Sequence, residues 1–223
     1  MSSVALSWSG GKDSALALWT LREEGTEPTA LLTTINEEFE RISIHGVRRE
    51  LLHAQAAAVG LPLVEVGIPT ECPNELYEER MGEALAAPPL AAVETFAFAD
   101  LFLADIRAYR EERLARVGRK ATFPLWGRDT AALARRFAEA GFGATLVVVD
   151  TDQIEARFVG RRFDASLLDD LPEGADPCGE NGEFHTFVDS GPIFAAPIPV
   201  ELGEVRDEGR FVYRDVLPSP ARA

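Results

Sequence analysis

The residues best suited to chemistry lie near the start of the chain, in the stretch Ser9-Gly10-Gly11-Lys12-Asp13-Ser14. The glycines let the backbone approach an anion without a Cβ in the way, and Lys12 adds a point charge. Ser9 and Ser14 offer hydroxyl donors, while the carboxylate of Asp13 suits either a metal ion such as Mg²⁺ or the cap of a helix. The stretch therefore predicts a site that holds the phosphates of a nucleotide.

The segments on either side of this stretch predict where it lies in the fold. The apolar run 4–8 predicts a strand before it, and the periodic segment 13–24 predicts a helix after it. Such a turn belongs at the carboxyl edge of an open α/β sheet, where the N–H groups of a helix start bind anions. Its spacing is not that of the G-x-x-x-x-G-K-[ST] loop. A plain strand-to-helix turn, capped by Asp13 or Ser14, is the alternative.

Strand-like and helical patterns alternate as far as residue 150. The predicted strands are 4–8, 29–35, 62–68, 96–103, 121–126 and 145–150. The predicted helices are 13–24, 47–59, 74–86, 104–117 and 129–140, and the glycines expected to end helices are Gly25, Gly60, Gly118 and Gly141. This order predicts an α/β fold with a Rossmann-like parallel sheet and helices on both faces.

Beyond residue 150 the alternation ends. The segment 176–187 is rich in loop-forming residues, and 203–216 predicts two strands around a turn at 207–209. We therefore expect two domains, a nucleotide-binding domain over residues 1–127 and a smaller α+β domain over residues 128–223.

The chain carries a formal net charge of −15. That balance disfavours nucleic acid as a partner, because phosphate backbones need clustered Lys and Arg. The arginines between 107 and 120 are interpreted as a solvated helix face with paired charges. No segment predicts a signal peptide or a membrane span, and Cys72 and Cys178 are expected to be free thiols, so we expect a cytoplasmic protein.

The stretch 9–14 resembles the PP-loop of the ATP pyrophosphatase superfamily, which holds the β and γ phosphates while the α phosphate is attacked. Three further segments, 40–63, 98–130 and 176–194, resemble the diphthine-ammonia ligase family in the family's own order. The resemblance implies a HUP-like ATP domain, a smaller C-terminal domain and an active cleft between them. It also implies an ATP-dependent amide ligase, in which a carboxylate becomes an acyl adenylate, pyrophosphate leaves, and ammonia displaces AMP.

The C-terminal motif at 179–186 reads Gly-Glu-Asn-Gly-Glu-Phe-His-Thr and departs from the family's G-E-G-G-E-[FY]-E-T. Asn181 replaces a glycine and His185 replaces an acid, which resembles the variant of bacterial members. His185 adds a group expected to titrate near neutral pH, and is interpreted either as a proton shuttle or as a packed polar residue. Glu180 and Glu183 are predicted to bind ammonium, a metal or a cationic substrate group.

The resemblance and the predicted topology together name the candidate site. The predicted catalytic residues are Lys12, Asp13, Arg128, Glu180, Glu183 and His185, with Asp13 also as the metal ligand. The predicted nucleotide-binding residues are Ser9, Gly10, Gly11, Lys12, Asp13, Ser14, Asn36, His45, Arg48 and Gly127. Arg128 is expected to stabilise charge at the α phosphate, with packing at the domain junction as the alternative. For Arg48 the alternative is surface exposure.

Two other functions stay open from the sequence. One is a PP-loop enzyme that modifies another small molecule or an RNA through sulfur or base chemistry, which would need a working cysteine and a basic docking surface. The other is a regulatory module that binds ATP without turnover. For the ligase we expect ATP and Mg²⁺ as cofactors, a small-molecule or protein-borne carboxylate acceptor, and free ammonia as the nitrogen source. We expect no membrane partner and a surface compatible with a homo-oligomer.

Overall fold

A computed structural model describes residues 3–42 and 46–220 of the chain. Its N-terminal part contains the strands β1 (Val4–Ser7), β2 (Ala30–Asn36), β3 (Arg41–Ile42), β4 (Leu63–Ile68), β5 (Thr95–Ala97) and β6 (Lys120–Thr122). Strand β2 pairs in parallel with β1 on one edge and with β4 on the other, and the sheet continues in parallel from β1 to β5 and β6. The short β3 pairs antiparallel with the end of β2.

This sheet is flanked by the helices α1 (Lys12–Glu23), α2 (Arg49–Val59), α3 (Asn74–Ala86) and α4 (Ala104–Arg116). A parallel sheet with flanking helices confirms the predicted α/β class. The helices lie close to their predicted bounds, whereas β5 and β6 are shorter than the apolar runs that predicted them. Gly60 shows why the glycines end helices, since its left-handed φ of 76° lets its N–H bond to the carbonyls of Ala56 and Ala57.

The C-terminal part forms a second, antiparallel sheet. Its strands are β7 (Gly143–Asp150), β8 (Phe184–Ser190), β9 (Val200–Glu208) and β10 (Phe211–Pro218), in the order β8-β7-β10-β9, and its helices are α5 (Thr130–Glu139) and α6 (Ala165–Asp170). Short 3₁₀ turns cover Leu90–Ala92 and Ala156–Phe158. The expected hairpin is present, but its turn lies at residues 209–210, because Glu208 still pairs with Phe211.

For residues 145–150, which the predicted domain boundary assigned to the smaller domain, the alternation pattern gave the wrong sheet. The alternation of strands and helices placed 145–150 with the parallel strands, whereas β7 lies between β8 and β10 and is antiparallel to both. The reason is physical, since a continuous apolar run is buried equally well in the centre of either kind of sheet.

Helix α1 is buried along almost its whole surface. Its buried residues are Lys12, Ser14, Ala15, Leu16, Ala17, Leu18, Thr20 and Leu21. The larger hydrophobic core runs from Trp8, directly after β1, through α1 to Phe187 on β8, so the two sheets share it. A smaller core lies beneath α3 and α4 around Leu32 and Phe96. The start of α1 is therefore at the junction of the two sheets, and a domain boundary at 127–128 stays a prediction.

Across the described ranges, no helix is both long enough and apolar enough to cross a membrane.

Candidate active site

The phosphate loop, residues 9–14, covers the turn after β1 and the first residues of α1, between the strand and the helix that the sequence predicted. Gly10 has a left-handed φ of 73°, which favours glycine. The hydroxyl of Ser9 donates to Ser14 Oγ at 3.3 Å, and the hydroxyl of Ser14 donates to Gly11 O at 2.9 Å. The two hydroxyls therefore lie together at the start of α1, where the partial positive charge of a helix end favours an anion.

The side chain of Lys12 lies beneath residues of the C-terminal part. It is 3% exposed, its Nζ lies 2.6 Å from Asp13 Oδ1, and the rings of Phe163 and Phe184 lie 5.8 and 5.7 Å from Nζ. Burial acts to lower the pKa of Lys12, but Asp13, Cys178 and other nearby acidic groups more than offset it, so the pKa lies above its ordinary value. Lys12 is thus held as a buried cation.

An acidic loop, which we define as residues 176–183, packs beside the phosphate loop. Glu180 Oε1 accepts a hydrogen bond from Leu101 N at 2.7 Å, and Glu180 N donates to Asp176 Oδ2 at 2.9 Å. Burial raises the pKa of Glu180 to about 7, and the charge of Asp13 acts in the same direction. Glu180 therefore exchanges a proton near neutral pH.

Glu183 is buried within the same loop, at 2% exposure. Its Oε1 accepts from Asp176 N at 2.8 Å and from Asn181 Nδ2 at 3.1 Å. Its Oε2 is buried with no hydrogen-bond partner in the part of the chain that the structure describes. Asn181, one of the two departures from the family motif, thus holds the carboxylate of Glu183 in place.

His185, the other departure, follows this loop on β8. Burial and the charge of Lys12 lower the pKa of His185 to about 4. The imidazole is therefore neutral at neutral pH. The expectation that His185 titrates near neutrality is not met, because the sequence shows neither its partial burial nor the charge of Lys12 that acts on it.

A cavity of about 500 Å³ opens between α3 and α4. Its floor is the sheet face formed by alternate residues of β1, β2 and β5, namely Ser7, Leu32, Thr34 and Phe96, and it extends to Ser9 of the phosphate loop. Its walls include Tyr77 and Met81 of α3. The cavity therefore joins an apolar chamber to the candidate phosphate site.

Three arginines of α4 also line this cavity: Arg110, Arg113 and Arg116. The predicted charge pairs are present, since Arg110 Nε lies 2.9 Å from Asp100 Oδ2 and Arg113 is paired with Glu78. From the sequence these arginines are interpreted as a solvated helix face, and their place in the wall of a cavity is not predicted. The same pattern of charges is found on a solvated face and on the polar wall of a cavity.

Two predicted nucleotide-binding residues are engaged elsewhere. Asn36 Nδ2 donates to Thr70 Oγ1 at 3.0 Å, and its Oδ1 accepts from the backbone of the following turn. Asn36 does not line the cavity, whereas Thr33 and Thr34 of the same strand do. Arg48 Nη2 lies 2.6 Å from Asp215 Oδ2, in an ion pair with β10. His45 lies outside the described residues.

Arg128 and Gly127 do not reach the phosphate loop either. Arg128 Nη2 lies 3.3 Å from Glu24 Oε1, at the far end of α1, about 18 Å of helix from the loop. Gly127 N donates to Leu101 O at 2.8 Å, and Gly127 does not line the cavity. Arg128 therefore pairs with the end of α1, in line with the junction alternative, and the neighbouring Asp129 caps α5 by accepting from Ala132 N at 2.7 Å.

Two residues that sequence reasoning missed contact the phosphate loop directly. Gln55 on α2 donates to Gly10 O, and Thr186 on β8 accepts from Lys12 N. Gln55 carries no local sequence signal, whereas Thr186 is the last residue of the motif at 179–186 and could have been found there. Each contact joins residues that are far apart in the chain.

The strand, phosphate loop and helix, with a cavity at the carboxyl edge of the sheet, define a nucleotide-binding protein of the PP-loop type. The comparison with family models gives the family. The diphthamide synthase N-terminal domain matches residues 1–122, and the diphthamide synthase C-terminal domain matches residues 129–215. The chain belongs to the diphthamide synthase family of PP-loop, ATP-utilising enzymes. The comparison with curated proteins found no match.

Proposed function

We propose that the protein is an ATP-dependent ligase that forms an amide from a carboxylate and ammonia through an acyl adenylate, with AMP and pyrophosphate as products. The observation that carries the proposal is the position of Ser9, which belongs to the phosphate loop and also lines the cavity. A nucleotide with its phosphates on the loop can then place its base in the apolar chamber. The rings of Phe96 and Phe98 line that chamber.

The phosphate loop supports the first step. A carboxylate oxygen of the acceptor bonds to the α phosphorus, the bond from that phosphorus to the bridging oxygen breaks, and pyrophosphate leaves with the electron pair. The N-terminus of α1 and the hydroxyls of Ser9 and Ser14 stabilise the charge of this leaving group. Lys12, a residue of this loop, adds the positive charge of a buried cation.

The acidic loop supports the second step. Ammonium must lose a proton before it attacks, and the pKa of about 7 suits Glu180 to accept it. The buried Oε2 of Glu183, which has no hydrogen-bond partner among the described residues, is a ready acceptor for an N–H of ammonium. Ammonia then attacks the acyl carbon, the bond to AMP breaks, AMP leaves with the electron pair, and the nitrogen releases a proton.

Mg²⁺ fits the site only together with ATP. Within the described residues, no group of three or more His, Cys, Asp or Glu could hold a metal ion by itself. Mg²⁺ in ATP enzymes is commonly held by one or two carboxylates and the phosphates, and Asp13 is the carboxylate at the loop. When bound there, the ion would offset phosphate charge.

Sulfur chemistry gains no support from Cys178. Its side chain is buried, and burial raises the pKa of the thiol to about 12. The thiolate that such chemistry needs is therefore absent at neutral pH. We accordingly propose a carboxylate acceptor, either a small molecule or a protein-borne group.

The test is product analysis with ATP radiolabelled at the α or the γ phosphate, in the presence of Mg²⁺, ammonium and an extract of the source cell. AMP and pyrophosphate that form only with extract would support the ligase, and hydroxylamine in place of ammonium should trap the acyl group as a hydroxamate. ADP and phosphate would overturn the mechanism. ATP binding without turnover in any extract would instead favour a regulatory module.

A pair of lysine variants sharpens this test. Lys12→Ala should lower turnover by about a hundredfold or more, because it removes the buried cation beside the leaving group. Lys120→Ala, at an exposed lysine on β6, should leave turnover unchanged. Equal turnover in the two variants would contradict the role of the phosphate loop.

A further inference from the structure

We infer that Gln55 is a positioning residue that holds the phosphate loop in its anion-binding form. The inference rests on the proposed role of that loop in binding pyrophosphate. Gln55 lies on α2 and is 0% exposed, and polar side chains are rarely buried so completely without a specific set of partners.

The side-chain amide of Gln55 has a partner for each of its polar atoms. Its Nε2 donates to Gly10 O at 2.9 Å and to Val188 O at 2.6 Å, while its Oε1 accepts from Trp8 Nε1 at 3.0 Å. An indole N–H only donates and carbonyl oxygens only accept, so only one orientation of the amide satisfies all three contacts. The amide is therefore fixed relative to the loop.

Two donors hold the carbonyl of Gly10. Besides Gln55 Nε2, Val188 N donates to Gly10 O at 3.0 Å. Because the peptide is planar and trans, the N–H of Gly11 points away from that carbonyl. The N–H of Gly11 donates to Ser9 Oγ at 3.4 Å, on the side where the two serine hydroxyls meet. Holding the carbonyl therefore directs the Gly11 N–H toward the anion side.

The amide of Gln55 lies so close to Gly10 that residue 10 has no room for a side chain. A Cβ at Gly10 would lie 2.7 Å from Gln55 Oε1, so a side chain there would displace the amide. Without the amide, the carbonyl of Gly10 would lose one of its two donors and the peptide could turn over. An acceptor would then face the phosphate in place of a donor, which would weaken binding of the anion but not of the nucleoside.

Isothermal titration of ATP, inorganic pyrophosphate and adenosine tests this inference. Gln55→Met keeps the length of the side chain and removes its N–H donors, and should weaken binding of ATP and pyrophosphate by about tenfold while adenosine binds as before. Leu52→Met, at an equally buried position of α2, should leave all three affinities unchanged. Unchanged pyrophosphate binding in Gln55→Met, or an equal loss for adenosine and pyrophosphate, would overturn the inference.

A measurement on the unsubstituted protein covers the case in which Gln55→Met does not fold. Pyrophosphate should shift the amide nitrogen resonance of Gly11 in the NMR spectrum, because that N–H is directed at the anion. If calorimetry shows that the protein binds pyrophosphate but the Gly11 resonance does not shift, the inference about Gln55 is overturned and the proposed function is not. Failure of the unsubstituted protein to bind either ATP or pyrophosphate would overturn the proposed function with it.

Discussion

The backbone N–H of Lys12 donates to the hydroxyl oxygen of Thr186 at 2.9 Å, although 174 positions separate the two residues. Thr186 also lies against Gly11, where a Cβ would be 3.1 Å from the carbonyl oxygen of Thr186. The first turn of α1 is therefore completed by a strand of the second sheet. The candidate site belongs to both parts of the chain.

Thr186→Val should destabilise the protein by about 1–3 kcal/mol, because it keeps the branched shape and leaves the buried Lys12 N–H without an acceptor. Urea denaturation followed by circular dichroism measures the change. Thr186→Ser retains the hydroxyl and should recover most of the loss. Equal destabilisation by Ser and Val would show that the methyl group, and not the hydrogen bond, matters.

Glu180 should make stability depend on pH. Its pKa is raised from 4.5 to about 7, so between these values the folded protein keeps a proton that the unfolded chain has lost. Stability should therefore fall as pH rises through this range. Glu180→Gln removes that dependence and should be more stable than the parent above about pH 7, by on the order of 1 kcal/mol, with no difference near pH 4.

Denaturation at a series of pH values provides the measurement for Glu180. Glu173→Gln, at an exposed glutamate, controls for the loss of one charge. A parent protein whose stability is flat across the range would refute the raised pKa.

Asp215 should contribute stability through its two arginine partners, Arg48 at 2.6 Å and Arg41 at 3.1 Å. Burial acts to raise the pKa of Asp215, but the hydrogen bonds from Arg48 and Arg41 outweigh it and lower the pKa to about 2. This contribution is present above the ordinary pKa of 3.8 and is lost as pH falls toward 2. Asp215→Asn should cost about 1–2 kcal/mol near pH 7.

The difference between Asp215→Asn and the parent, measured by urea denaturation, should shrink on acidification. Glu201→Gln, an exposed position on the neighbouring β9, is the matched control and should have little effect. A cost that stays constant down to acid pH would contradict the ion-pair explanation.

The two cysteines should differ in reactivity. Cys178 is buried with a pKa of about 12, whereas Cys72 is partly exposed. Iodoacetamide should therefore modify the native protein at Cys72 about a hundredfold faster than at Cys178. In denaturant it should modify both cysteines. Mass spectrometry of Cys72→Ser and Cys178→Ser identifies the site, and rapid labelling of native Cys72→Ser would contradict the burial of Cys178.

Much of the fold follows from local sequence signals. The phosphate loop is contiguous, and its glycines and serines report directly on a backbone that approaches an anion. The helix ends at Gly25 and Gly60 are equally local, since a left-handed residue is needed at the end of the same helix.

The parts that sequence reasoning missed depend on contacts between distant segments. The guanidinium of Arg48 is suited to bind a phosphate, but it forms an ion pair with Asp215, which is 167 positions away. The lowered pKa of His185 likewise follows from burial beside Lys12, which no nearby residue signals. In the sequence Gln55 is one polar residue within a predicted helix, and only the structure shows that it contacts Gly10.

The burial of α1 between the two sheets has a consequence for how the protein unfolds. A helix packed on both sides cannot lose one partner without exposing Leu16, Leu18 and their neighbours to water. We therefore expect a single calorimetric transition, with equal van 't Hoff and calorimetric enthalpies, rather than one transition for each sheet. A fragment ending near residue 127 should aggregate rather than behave as an independent nucleotide-binding module.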